Sequence, residues 1–141
     1  MPPSSASITI PVEPMGAPRM TQRDRWALRP AVVKYHAFKD VVRLHANQNP
    51  EFMEMLESGT VIDLSWRAFI SMPASWSKKK KLLNSGAAHR QKPDRDNIDK
   101  AILDTLFKDD CGVAHGTLSK RWDDGLGARL EITITCLTQT Q

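Results

Sequence analysis

Between Thr60 and Met72 the chain reads TVIDLSWRAFISM, and every second residue from Ile62 to Met72 is apolar: Ile62, Leu64, Trp66, Ala68, Ile70 and Met72. Side chains of an extended backbone alternate between two faces, so this run is a long strand with one apolar side. Pro73 stops it. Such a strand cannot stand alone. It requires partner strands at its edges and a layer to cover its apolar face, and the rest of the chain must supply both.

SITIPV at 7–12 places Ile8, Ile10 and Val12 on one face and reads as a first strand. The next segment, EPMGAPRMTQRDRWALRP, holds three prolines and Arg19, Arg23, Arg25 and Arg29, and reads as a loop. Pro30 suits the first position of a helix over Ala31–Ala46. Val33, Ala37, Val41 and Leu44 recur there at helical spacing, with Phe38 and Val42 beside them. After the long strand, Ser75 can cap a short helix that Gly86 ends, with Trp76 and Leu83 on one side. Ile98, Ile102 and Leu106 predict a further helix from Asn97 to about Phe107. GVAHGTLSKRW at 112–122 reads as a strand, DDGLG as a turn, and ARLEITITCL alternates Leu130, Ile132, Ile134 and Cys136. These last two strands are expected to form an antiparallel hairpin. The order β, α, β, α, α, β, β predicts an α+β fold: one domain over 1–141, a mixed sheet with a C-terminal hairpin, packed by helices.

At 141 residues a single core can bury roughly two-thirds of the unfolded surface, so neither a metal nor a disulfide is needed for folding. Cys111 and Cys136 are isolated, and His36, His45, His89 and His115 form no HxxxH or HExxH pair, which argues against a zinc site. No apolar run approaches the ~18 residues of a membrane span. MPPSSASITIP lacks a charged start and a long apolar stretch, so no signal peptide is expected, and the chain is expected to work inside the cell.

Charge is unevenly placed. Lys78 to Lys100 holds eight Lys/Arg and three Asp, a net of +5, whereas the whole chain is +4 and the remainder therefore −1. A concentrated positive surface suits phosphate. Yet Asp94, Asp96 and Asp99 sit inside it. Part of this has a structural explanation: Asp96 fits a helix N-cap and Asp99 the acid of a capping box. Asp94 is left over. In an extended segment Asp94 and Asp96 point the same way, and two converging carboxylates can hold Mg2+, with Mn2+ as a substitute. Such an ion serves phosphodiester hydrolysis. Lys100, one turn into the helix and in an i, i+4, i+8 series with Asp96 and Asp104, could donate to the phosphoryl oxygens. Asp109 or Asp110 could supply a third carboxylate. An EF-hand fails because Asp99 and Thr105 stand where Gly and Glu are required. A PD…(D/E)xK nuclease pattern is a weak match: Pro93-Asp94 fits its first half, but Lys120 has no acid two residues before it.

KPDRDNIDKAILDTLF followed by KDDCGVAHGTLSKRW resembles the RusA family of Holliday-junction resolvases, common in phages and prophages. The family pattern runs KPD-x-DN-x-x-K-x-x-x-D-x-L, then DD, then a strand ending in basic residues. Lys92, Pro93, Asp94, Asp96, Asn97, Lys100, Asp104, Leu106, Asp109, Asp110, Lys120 and Arg121 stand in those places. The resemblance covers most of the chain and is strongest from Lys92 to Trp122. It implies a Mg2+-dependent endonuclease that acts as a homodimer on four-way DNA junctions in the cytoplasm of a bacterial host, with no small-molecule substrate. It implies Asp94, Asp96 and Asp110 as metal ligands, Asp109 as the alternative third ligand, and Lys100 as the transition-state cation. Phosphate contacts would come from Arg19, Arg23, Lys78, Lys79, Lys80, Lys81, Arg90, Lys92, Lys120 and Arg121. Trp76 could stack on an unpaired base, with core packing as its other use. The rival expectations are a non-catalytic protein that binds branched DNA and a nuclease for other branched substrates.

Overall fold

The computed structural model describes residues 5–19 and 29–137. The alternating run forms strand β2, Val61–Ile70. Leu64, Trp66, Ala68 and Ile70 are buried on one face as the pattern requires, but Ile62 is only half-buried. A bulge between Val61 and Asp63 shifts the register there and breaks the alternation at that end.

The first strand, β1, is Ser5–Ile10, and the last two are β3, Leu118–Trp122, and β4, Arg129–Cys136. They build a four-stranded mixed sheet in the order β1-β4-β2-β3. The expected hairpin of the last two strands does not form. β4 runs antiparallel to both β1 and β2, while β3 pairs parallel with the far side of β2. The chain leaving β3 crosses the end of β2, where Asp123 N donates to Ile70 O at 2.8 Å. Asp123–Ala128 spans two strand spacings, about 10 Å, so the same loop serves a hairpin or a hop over one strand. Ahead of β3 the chain already follows β2: His115 N donates to Ile62 O, Leu64 N to His115 O and Trp66 N to Thr117 O, each at 3.0 Å. Gly116 permits this approach, because a Cβ there would lie well inside contact distance of Leu64 O.

Three helices cover the apolar face: α1, Pro30–Asn47; α2, Pro50–Glu57; and α4, Arg95–Leu106. A short helix, α3, Lys78–Asn84, precedes α4. Pro30 opens α1 as expected, but the buried stripe is Val32, Tyr35, Phe38, Val42 and Ala46, leaving Val33 and Leu44 about half-exposed. Tyr35 and Phe38 carry the larger apolar areas, and burying them sets the helix rotation. Helix α2 was not expected from the pattern. Asn49 caps it by accepting from Phe52 N at 3.0 Å, Pro50 occupies the first turn, and Phe52 and Met55 are buried. One core joins these helices to Ile8, Ile10, Leu64, Trp66, Leu130, Ile132 and Ile134. Each such side chain contributes roughly 1.5–3 kcal/mol of transfer free energy.

The other face of the sheet is polar apart from Phe69, whose ring Arg129 covers at 3.7 Å. Ser7 and Thr133 hydroxyls meet at 2.7 Å, and Arg67 pairs with Glu131 at 2.6 Å. No described helix is long and apolar enough to cross a membrane.

Candidate active site

Helix α4 begins two residues earlier than its apolar spacing suggests. Pro93 precedes it, and Asp94 takes the N-cap position with extended backbone, φ −68° and ψ 148°. Asp96 is therefore inside the first turn and is not the cap. Asp99 makes no capping box either: its Oδ1 accepts from the Trp66 indole Nε1 at 2.9 Å. The Asp94 side chain makes no capping hydrogen bond. Thus the structural duties expected of Asp96 and Asp99 fall away, and Asp94 and Asp96 are both exposed, within one turn of each other at the N-terminal end of α4.

The buried face of α4 holds Ile98, Ala101, Ile102 and Thr105. At 100° per residue, Asp96 and Lys100 lie within about 40° of each other, on the side facing away from that core. Lys100 is exposed there. Asp104 has drifted about 80° from Asp96 and turns toward α1, where Tyr35 Oη lies 3.5 Å from its Oδ2. Burial and the Asp104 carboxylate push the Tyr35 hydroxyl up to about 12. The i, i+4, i+8 series is therefore two sites, not one.

Asp109 and Asp110 follow the helix on an exposed loop. Asp109 Oδ1 accepts from Cys111 N at 3.1 Å, and hydrogen bonds from Cys111 hold its carboxyl below the usual range. The Asp110 carboxylate makes no hydrogen bond or ion pair with another described residue. Among the described residues no three His, Cys, Asp or Glu side chains gather closely enough to hold a metal. The third acid is thus not brought to the pair on α4. Mg2+ retains several waters and commonly takes one or two carboxylates. Asp94 and Asp96, two exposed hard-oxygen donors without competing partners among the described residues, fit that requirement in donor chemistry.

The loop after β1 reaches this end of α4. Ala17 N donates to Asn97 O at 3.1 Å, and a Cβ on Gly16 would sit 2.9 Å from Asn97 Cβ and 3.3 Å from Pro93 Cβ. Exposed Arg19 follows two residues later, while Arg23 and Arg25 lie outside the described residues. Lys78, Lys79, Lys80, Arg90 and Lys92 are exposed and Lys81 is half-exposed. Ser77, not Ser75, caps α3, accepting from Lys80 N at 3.2 Å, and Gly86 follows its end with φ +69°. Trp76 lies outside that helix. Its ring packs against Trp122 with 4.7 Å between centroids, and Lys80 Nζ sits 4.3 Å above it. Leu83 does not join it and is 74% exposed.

The two basic residues of β3 go to opposite faces. Arg121 is exposed on the polar face of the sheet, bonded to Ser119 Oγ at 2.9 Å. Lys120 points to the helix face, where its Nζ donates to Gln91 O at 2.6 Å and Pro93 O at 2.7 Å. Charge counting could not distinguish the two. Strand parity could, because Lys120 alternates with Leu118 and Trp122.

Two cavities, of about 240 and about 620 Å3, flank α4, and neither is lined by Asp94, Asp96 or Lys100. The exposed acids and cations present an open surface, suited to a phosphate backbone too large for a pocket.

A sequence model of the family described as Endodeoxyribonuclease RusA matches residues 11–135. That span includes α1 to α4, β2, β3 and nearly all of β4. No curated protein matches the chain.

Proposed function

The chain belongs to the RusA endodeoxyribonuclease family, and from that premise we propose that it is a divalent-metal-dependent nuclease that resolves four-way DNA junctions as a homodimer. The observation that carries this reading is the first turn of α4: Asp94 and Asp96 are exposed, without a side-chain partner among the described residues and free of capping duty, with Lys100 one turn on. Asp94 and Asp96 would hold a Mg2+ ion, or Mn2+ in its place, which would supply charge neutralisation at the phosphate and an acidified water for phosphodiester hydrolysis.

The chain's own groups supply the rest. Asp94 and Asp96 present their oxygens at the start of α4. Lys100 donates to the phosphoryl oxygens as negative charge builds on them. Asp110 would join the pair as a third carboxylate only if its loop folded toward α4, and it is freer to do so than Asp109, which is engaged in its own turn. Lys78, Lys79, Lys80, Lys81, Arg90, Lys92 and Arg19 neutralise backbone phosphates around the acids. Two-fold symmetry places two such sites at a fixed separation, as paired symmetric nicks require.

The experiment is Asp96→Asn assayed on a synthetic four-way junction with Mg2+ or Mn2+. Cleavage is expected to fall at least about 100-fold while junction binding stays within about twofold. If the wild type cuts no junction with any divalent ion yet binds it, the protein is a binder of branched DNA. If it cuts flaps or forks in preference, it is a nuclease for other branches.

A further inference from the structure

Residues 85–94 join α3 to α4, and they are not a free linker. Ala88 bridges antiparallel to Arg121, Trp122 N donates to Ala87 O at 2.9 Å, and His89 N donates to Lys120 O at 3.0 Å. The segment therefore lies along the outer edge of β3 as far as His89. Beyond that residue the edge pairing ends, and the Lys120 side chain takes over, with its bonds to Gln91 O and Pro93 O. β3 pairs with β2 so that Lys120 stands beside Ala68, on the face where α4 lies. The Ala68 methyl leaves room for the lysine stem. Pro93 O is the carbonyl of the peptide that leads directly into Asp94.

We infer that Lys120 is a positioning residue: its ammonium locks Gln91 and Pro93, and through the Pro93 carbonyl it fixes the direction in which Asp94 and the start of α4 present their carboxylates. This rests on the reading of Asp94 as a metal-holding carboxylate. It replaces the role of phosphate contact that composition suggests for Lys120. An ammonium has three donors, and two are already spent on main-chain oxygens. A small misplacement of a reacting group is costly in turnover, and residues that orient ligands matter nearly as much as the ligands.

The test uses the full chain with Lys120→Met and Lys120→Arg. Three quantities are measured: cleavage at saturating junction, Mn2+ affinity by calorimetry, and junction affinity across a salt series without activating metal. Lys120→Met should lose turnover roughly 10- to 100-fold and bind Mn2+ more weakly, with the junction salt slope unchanged. Lys120→Arg, whose guanidinium can reach both carbonyls, should recover part of both losses. If Lys120→Met instead weakens junction binding and shallows the salt slope by about one, with Mn2+ affinity intact, Lys120 is a phosphate contact and the inference is overturned. A lower melting temperature with unchanged turnover and Mn2+ affinity overturns it equally, leaving Lys120 merely structural. Should Lys120→Met not fold, Lys120→Gln is read by the same criteria. Failure of the wild type to cut any junction would strike the proposed function and is seen before any variant is compared.

Discussion

The indole Nε1 of Trp66 donates to Asp99 Oδ1 at 2.9 Å, joining a β2 residue that is 1% exposed to the helix that carries Asp96 and Lys100. The bond spans the layer between sheet and helix one turn from the candidate acids. It registers α4 against β2 along its axis, which apolar packing alone does weakly because such contacts are non-directional.

Trp66→Phe should therefore destabilise the fold by about 1–3 kcal/mol, since it leaves a half-buried carboxylate without its donor. Asp99→Asn, which retains an acceptor, should cost less. Urea denaturation at unchanged m-value measures both. A Trp66→Phe midpoint equal to the wild type would show that the tie contributes nothing.

Gly116→Ala should cost about 1–3 kcal/mol by overpacking. The new Cβ meets Leu64 O, a main-chain atom of a central strand that cannot step aside as a side-chain tip would. The same denaturation experiment checks it. Hydrogen exchange should show weakened protection at Leu64 and Trp66, whose amides bond to His115 O and Thr117 O.

His89 is 5% exposed, its ring lies 4.3 Å from that of Trp122, and its Nδ1 has no hydrogen-bond partner among the described residues. Burial, with the Lys120 ammonium second, pushes its pKa below the ordinary 6.5. The unfolded chain therefore binds the proton first as pH falls. This contribution to stability is full above pH 6.5, declines as pH drops from there toward the folded value, and levels off below it. Melting curves from pH 7.5 to 5 should show this decline in the wild type and a shallower one in His89→Gln.

Alanine at Lys78, Lys79 and Lys80 should weaken junction and duplex binding alike. The plot of log affinity against log salt should become shallower by about one for each phosphate that is no longer neutralised. Turnover at saturating DNA should not change. Lys80 already lies over Trp76, so its share should be the smallest of the three. A loss confined to junctions would mean that this helix reads shape rather than charge.

Strands β1, β2 and β4 and helices α1 and α4 were legible because alternation and helical spacing follow directly from backbone geometry. The misses have particular causes. Val33 and Leu44 repeat as regularly as Val32 and Tyr35, and only the bulk of the aromatic neighbours tells which face turns inward. Asp94 and Asp96 are equally good caps by type, and Pro93, which does not continue into the helix, was the clue that the helix starts at the earlier one. The Asn49-Pro50 pair carried the start signal of α2, but over only eight helical residues the pattern is short. Strand adjacency was not readable, because the loop after Trp122 is long enough for either partner. At the site, the candidate acids lay in one recognisable stretch. The duty of Lys120 depends on what stands opposite it, which no local pattern records.

Helices α1, α2 and α4 all lie on the apolar side of the sheet, while the reverse side bears the hydroxyls of Ser7 and Thr133 and the Arg67–Glu131 pair. A neighbour settling on that lawn of short alcohols would release little ordered water from oily surface. Its grip would come from directional links that must first shed their own hydration, so such an assembly would come apart on dilution and loosen in brine.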